Sequence, residues 1–68
     1  MLTPKQDEVV ELIGRDGCST KAVAARMGIH PSTVKAHIFD IAFKLNSPRK
    51  PREAILEFYL TERHHAST

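Results

Sequence analysis

The sequence predicts an all-α domain of four short helices, and two features carry that reading. Apolar residues recur at helical spacing in four separate segments with no alternating strand pattern. Pro, Gly, Ser and Thr stand where helices start and stop. At 68 residues the chain is read as one domain, 1–68. A chain so short buries only about 60% of its unfolded surface. With one cysteine, Cys18, no disulfide can staple it, so apolar helix packing must supply the core.

The first helix is expected over 4–16. Thr3 caps it, Pro4 fits the first helical position, and Gln6 reaches back as the capping-box partner. Val9, Val10, Leu12 and Ile13 form its inner side, and Gly17 stops it. The second helix, 20–27, is capped by Ser19 or Thr20, turns Val23, Ala24 and Met27 inward, and ends at Gly28. Pro31 opens the third helix, 31–45, where Val34, Ile38, Ile41, Ala42 and Leu45 form an unbroken core stripe. Pro48 and Pro51 bracket a basic connection. The fourth helix, 52–63, points Ala54, Ile55, Phe58 and Tyr59 inward, and the tail 64–68 is expected to fray.

Charge is unevenly distributed along the chain. Lys5 and Arg15 stand against Asp7, Glu8, Glu11 and Asp16, a net −2 over residues 1–17. Lys21, Arg26, Lys35, Lys44, Arg49, Lys50 and Arg52 stand against Asp40 alone, a net +6 over 18–52. Arg63 against Glu53, Glu57 and Glu62 returns −2 over 53–68. A basic middle between acidic ends is the polarity of a domain that offers one face to phosphate.

Two short helices joined by a turn at Gly28, the second longer and amphipathic, have the form of a helix-turn-helix. Ala24 is small where the helices cross, Gly28 permits positive φ, and Val34 locks the third helix to the second. Around this core stand Leu2-Thr3-Pro4 with Glu8-Val9, Gly17-Cys18-Ser19-Thr20-Lys21, Met27-Gly28-Ile29, Thr33-Val34-Lys35 with His37, Lys44-Leu45 and Glu53-Ala54. In this series the chain resembles the LuxR family of DNA-binding domains from Leu2 to about Leu60. The resemblance implies a four-helix domain whose third helix enters the major groove and whose fourth commonly mediates dimer contacts. Three departures stand out: Ala22 replaces a usual acidic residue, His30 replaces a usual capping serine, and Phe39 occupies an outward position often basic or polar. The connection after Leu45 is also about one residue longer than usual.

At 100° per residue the outward side of the third helix carries Ser32, Lys35, Ala36, Phe39, Asp40 and Phe43. Ser32, Lys35, Ala36 and Phe39 are the expected base contacts: Lys35 donates to guanine, Ala36 admits base edges, and Phe39 meets a thymine methyl. Thr20, Lys21, Thr33, His37 and Lys44 are the expected phosphate contacts, which set register without reading sequence. Phe39 and Phe43 admit two readings, partial burial under another element or a face that also meets protein. Leu56 and Leu60 either widen the buried stripe of the fourth helix or form a dimer patch, and the resemblance tips the balance toward the patch.

The expected function is a sequence-specific, double-stranded DNA-binding transcriptional regulator in the cytoplasm. It would be dimeric on DNA, with RNA polymerase or a larger regulator as a further possible partner. Two alternatives stand beside it: a helix-turn-helix that acts mainly as a protein-binding antagonist of a larger regulator, and a domain like the fourth region of a sigma factor. No catalytic set can be assembled, so no enzyme and no cofactor are expected. His30, His37, His64, His65 and Cys18 lack metal-ligand spacing, and no segment has the roughly 20 apolar residues of a membrane span.

Overall fold

The computed structural model describes residues 2–64 and contains helices α1 (Pro4–Gly14), α2 (Thr20–Met27), α3 (Pro31–Leu45) and α4 (Pro51–Phe58), with α4 continuing as a π-helix over Tyr59–His64. Among the described residues there is no strand, and the all-α, four-helix expectation holds. The part of the expected frayed tail from residue 65 onward, with the His65 considered as a ligand, lies outside the described residues.

Local chemistry fixes the helix starts. Thr3 Oγ1 accepts from the Gln6 backbone N–H at 3.1 Å, and Gln6 Oε1 accepts from the Thr3 N–H at 3.1 Å, so the capping box is closed from both sides. Ser19, rather than Thr20, caps α2, its Oγ accepting from the Ala22 N–H at 3.1 Å. Pro31 and Pro51 open α3 and α4, where a missing N–H costs nothing.

The helix ends depart more from expectation. α1 stops at Gly14, two residues before Asp16, because the backbone turns at Arg15–Asp16 and Gly17 closes the turn with φ +66°. Gly17 N–H and Cys18 N–H then satisfy the Ile13 and Leu12 carbonyls at 3.1 and 3.0 Å. α4 begins at Pro51 and loses α-helical bonding after Phe58, where the expected helix ran on to 63. The Thr61 hydroxyl donates to the Glu57 carbonyl at 2.8 Å, competing for an acceptor of the regular ladder, which widens there into the π-helix.

α3 packs against each of the other three helices and is the centre of the molecule. Val9, Val10, Ile13, Val23, Val34, Ile41 and Ile55 are fully buried around it, with Cys18 in the same cluster. Phe58 and Tyr59, expected inward, are half-buried and lie against this cluster. The α1–α2 turn is held from outside by Arg52, whose guanidinium donates to the Cys18 carbonyl, and by Asp16, which pairs with Arg15 at 3.0 Å and Arg26 at 2.9 Å.

Two tests follow from these contacts. A Cβ on Gly14 would stand 2.3 Å from Tyr59 Cγ. Gly to Ala within a helix ordinarily stabilises by about 0.5–1 kcal/mol, whereas overpacking costs about 1–3 kcal/mol. Gly14→Ala is therefore expected to lower stability in urea unfolding, and the loss should largely vanish in a Tyr59→Ala background; equal losses in both backgrounds would place the clash elsewhere. Separately, the hydrogen bond from Arg15, then the charges of Arg15 and Arg26, hold the Asp16 carboxyl below its ordinary range. Its contribution is present above the unfolded-state value and is lost as pH falls through the lower folded value, below about pH 4. Asp16→Asn should flatten that acid limb of the melting-temperature profile and leave the limb near neutrality unchanged in slope.

Candidate nucleic-acid interface

The candidate interface is built on the turn between α2 and α3. Gly28 leaves the helix with φ +68°, and its N–H and that of Ile29 both donate to the Ala24 carbonyl, the latter at 3.0 Å. Ala24 is buried where the helices cross, and Val34 is fully buried beneath α3. The three positions that define the motif in the sequence thus do the work assigned to them.

His30, the departure at the start of α3, supplies the cap itself. Its Nδ1 accepts from the Ser32 N–H at 3.1 Å and stands 2.8 Å from Ser32 Oγ. The imidazole replaces a serine hydroxyl as acceptor, and in doing so it engages the side chain of an expected base contact.

The starts of α2 and α3 meet at one shallow depression lined by Thr20, Lys21, Pro31, Ser32 and Lys35. Four of the expected contacts, two from each class, are thereby brought together. Both helix N-termini carry partial positive charge there, adding to the two ammonium groups. Ala36 and Phe39 continue the exposed face along α3, Phe39 being 58% exposed, while Thr33 is exposed and His37 half-buried on its flank.

Lys44 lies apart from this group. Its ammonium donates to Gln6 Oε1 at 2.9 Å and stands 3.7 Å from Asp40 Oδ2, tying the end of α3 back to α1. Several other cations of the basic middle are also engaged within the chain. Arg26 pairs with Asp16, Arg49 pairs with Glu57 at 3.0 Å, and Arg52 holds the Cys18 carbonyl. Lys21, Lys35 and Lys50 are the cations of that segment with no ion pair or side-chain hydrogen bond among the described residues.

Leu56, on α4, is half-buried and packed against the core, whereas Leu60, in the π-helix that continues it, is 56% exposed. Both line a groove with Arg49, Glu53, Glu57 and Thr61. Among the described residues no group of three or more His, Cys, Asp or Glu could hold a metal ion. No described helix is long and apolar enough to cross a membrane.

Helices α1 to α3 with this turn form a helix-turn-helix, the architecture of a DNA-binding module. A model of the sigma-70 region 4 family matches residues 1–41, from the start of the chain into the third turn of α3, and the chain belongs to that family. The match agrees with the helix-turn-helix expectation and falls on the sigma-like alternative within it rather than on the LuxR type. No curated protein and no solved structure matches the chain significantly. The end of α3, the basic connection and α4 lie outside the matched residues.

The His30 cap is open to a direct test. Removing an N-cap acceptor costs about 0.5–2 kcal/mol. His30→Ala should lower the unfolding free energy by about that amount, and His30→Asn, which restores an acceptor, should recover most of it. An alanine variant as stable as the parent would show that the imidazole contributes nothing to α3.

Proposed function

We propose that the chain recognises duplex DNA for transcription, with α3 in the major groove and the start of α2 on the adjoining phosphates. The observation that carries this reading is the convergence of Lys21 and Lys35, neither paired among the described residues, at the paired N-termini of α2 and α3. Lys35 and Ala36 project from the first turns of α3, the part of a recognition helix that meets base edges, while Lys21, Thr20 and Thr33 lie on its borders. His37 belongs to the phosphate side of the same reading. Ser32 reads bases in it only by giving up its contact with His30.

Membership of the sigma-70 region 4 family supports RNA polymerase as a protein partner and the cytoplasm as the place of action. The LuxR-type form of the reading rests on the residue series from Leu2 to Leu60 and adds pairing on DNA through α4. Leu60 and the accessible part of Leu56 would carry that pairing, beside Glu53 and Glu57.

Salt dependence separates the residues. If Z phosphates are neutralised, log affinity falls against log salt with slope about −0.9Z. Lys21→Ala should reduce the slope by about one while weakening all sequences alike. Lys44→Ala should change it by clearly less, because that ammonium is already held by Gln6 and Asp40. Lys35→Ala should cost about 1–3 kcal/mol on a preferred site selected from random duplexes, and relax preference at one position. Absence of duplex binding at low salt overturns the proposal.

A further inference from the structure

Phe39 and Phe43 are 58% and 83% exposed, and with Leu60 they are the large apolar side chains left in solvent among the described residues. They belong to a longer pattern. Ser32, Ala36, Phe39 and Phe43 follow one another at intervals of four, three and four along the outer side of α3, nearly opposite the buried stripe of Val34, Ile38, Ile41 and Leu45. That interval is the seam of a coiled coil, with small residues at the N-terminal end and large ones at the C-terminal end.

Base readout accounts for only part of this seam. At 1.5 Å per residue Phe43 stands about 18 Å further along the axis than Pro31. A recognition helix meets base edges mainly with its N-terminal residues. Phe43, in the fourth turn of α3, lies beyond them.

The flanks of the seam identify the occupant. Lys35 and Asp40 lie about 70° to either side of the seam centre at 100° per residue. They are five residues apart, the relation that brings a charge on one helix against its opposite on a parallel, in-register partner. Lys35 has no ion pair or side-chain hydrogen bond among the described residues. The Asp40 side chain is 52% exposed, and its contacts with Gln6 and Lys44 both use Oδ2. Two copies arranged this way satisfy Lys35 of each with Asp40 of the other. An antiparallel pair would instead set like charges together.

The geometry points to a second copy of this chain as the occupant: α3 pairs in parallel with α3 of another copy through Ser32, Ala36, Phe39 and Phe43. The pair covers the outer face of α3, so self-association and entry into the groove exclude one another. The interface is of the small, reversible class, below about 1,200 Å2 in total, and its charge pairs set direction and register more than strength. The pairing stands independently of DNA; only the exclusion rests on the function proposed above.

Sedimentation of the 68-residue chain without DNA, from about 1 μM to about 1 mM, should show a monomer–dimer equilibrium, the range expected of an interface this small. Phe43→Glu should weaken it at least about tenfold while the circular dichroism spectrum stays helical and dilute-solution DNA affinity is unchanged. Ala36→Cys places two thiols across the seam, where a parallel pair brings them within disulfide reach. It should form a covalent dimer under mild oxidation, and saturating duplex should suppress it.

A chain monomeric throughout overturns the pairing, as does a dimer indifferent to Phe43→Glu or an unfolded Phe43→Glu variant. Dimers without the cross-link overturn it too: pairing through α4 would set the two α3 helices about 34 Å apart, one turn of duplex. A cross-link that persists in a chain shown to be saturated with duplex overturns the exclusion. Failure to bind duplex at all would fault the DNA reading and leave the sedimentation result to decide the pairing.

Discussion

Gln6 is 3% exposed and is the buried polar residue among the described residues, and the placement of α3 depends on how its side-chain amide is satisfied. Its Oε1 accepts from the Thr3 N–H at 3.1 Å and from the Lys44 ammonium at 2.9 Å, while Nε2 donates to the Asp40 carboxylate. Leaving such a group unpaired in the interior costs about 1–3 kcal/mol. The capping box is closed by Thr3 and Gln6 alone, but the amide nitrogen of Gln6 is satisfied only when the third and fourth turns of α3 lie against it, so a local helix start is tied to a tertiary contact. The helix whose first turns are proposed to meet DNA is held at its far end by the first helix of the chain. Rigidity at that end lets the exposed end present Lys35 and Ala36 in a fixed orientation.

Parts of this arrangement were legible in the sequence because their physics is local. The caps at Thr3 and Ser19, and the prolines that open α1 and α3, involve residues within three positions of one another, so residue type and spacing suffice. The burial of Val34, Ile38 and Ile41 follows from period alone. Gln6 was legible as a capping partner and illegible as a tie to Asp40 and Lys44, which lie 34 and 38 positions away. The same distance hid the engagement of Lys44, whose position on the helix wheel fits a phosphate contact equally well. The early end of α1 and the widening of α4 depend on turn bonds and on the Thr61 hydroxyl, and apolar periodicity carries no trace of them.

The motif also has a limit as a family signature. Ala24, Gly28 and Val34 meet requirements of the α2–α3 crossing: a small side chain, a positive φ and a buried lock. Any helix-turn-helix must satisfy them, whatever it serves, so they establish the class and discriminate poorly between its families. A match over residues 1–41 contains α1, α2 and most of α3 and so tests the whole motif at once. What distinguishes this chain lies at positions the crossing leaves free: His30 as a cap, Phe39 and Phe43 outside, and a fourth helix beyond the matched residues.

Those free positions bear on how charge and apolar surface are shared. Of seven cations in the basic middle, Arg26, Lys44, Arg49 and Arg52 are spent inside the molecule on Asp16, the Gln6–Asp40 pair, Glu57 and a backbone carbonyl. Exposed ion pairs of this kind each contribute at most about 1 kcal/mol to stability, but they remove cations from the field offered to phosphate. Of the three that remain, Lys21 and Lys35 stand at the starts of α2 and α3, where helix dipoles reinforce them, and Lys50 stands at the start of α4, while the far half of the outer face of α3 is apolar. A single helix thus has a buried side, a polar entry end and an aromatic exit end. Cationic contacts at the entry end weaken steeply with salt, whereas aromatic contacts at the exit end do not. In the proposed arrangement the two ends of α3 therefore differ in their response to ionic strength, the cationic end being the salt-sensitive one.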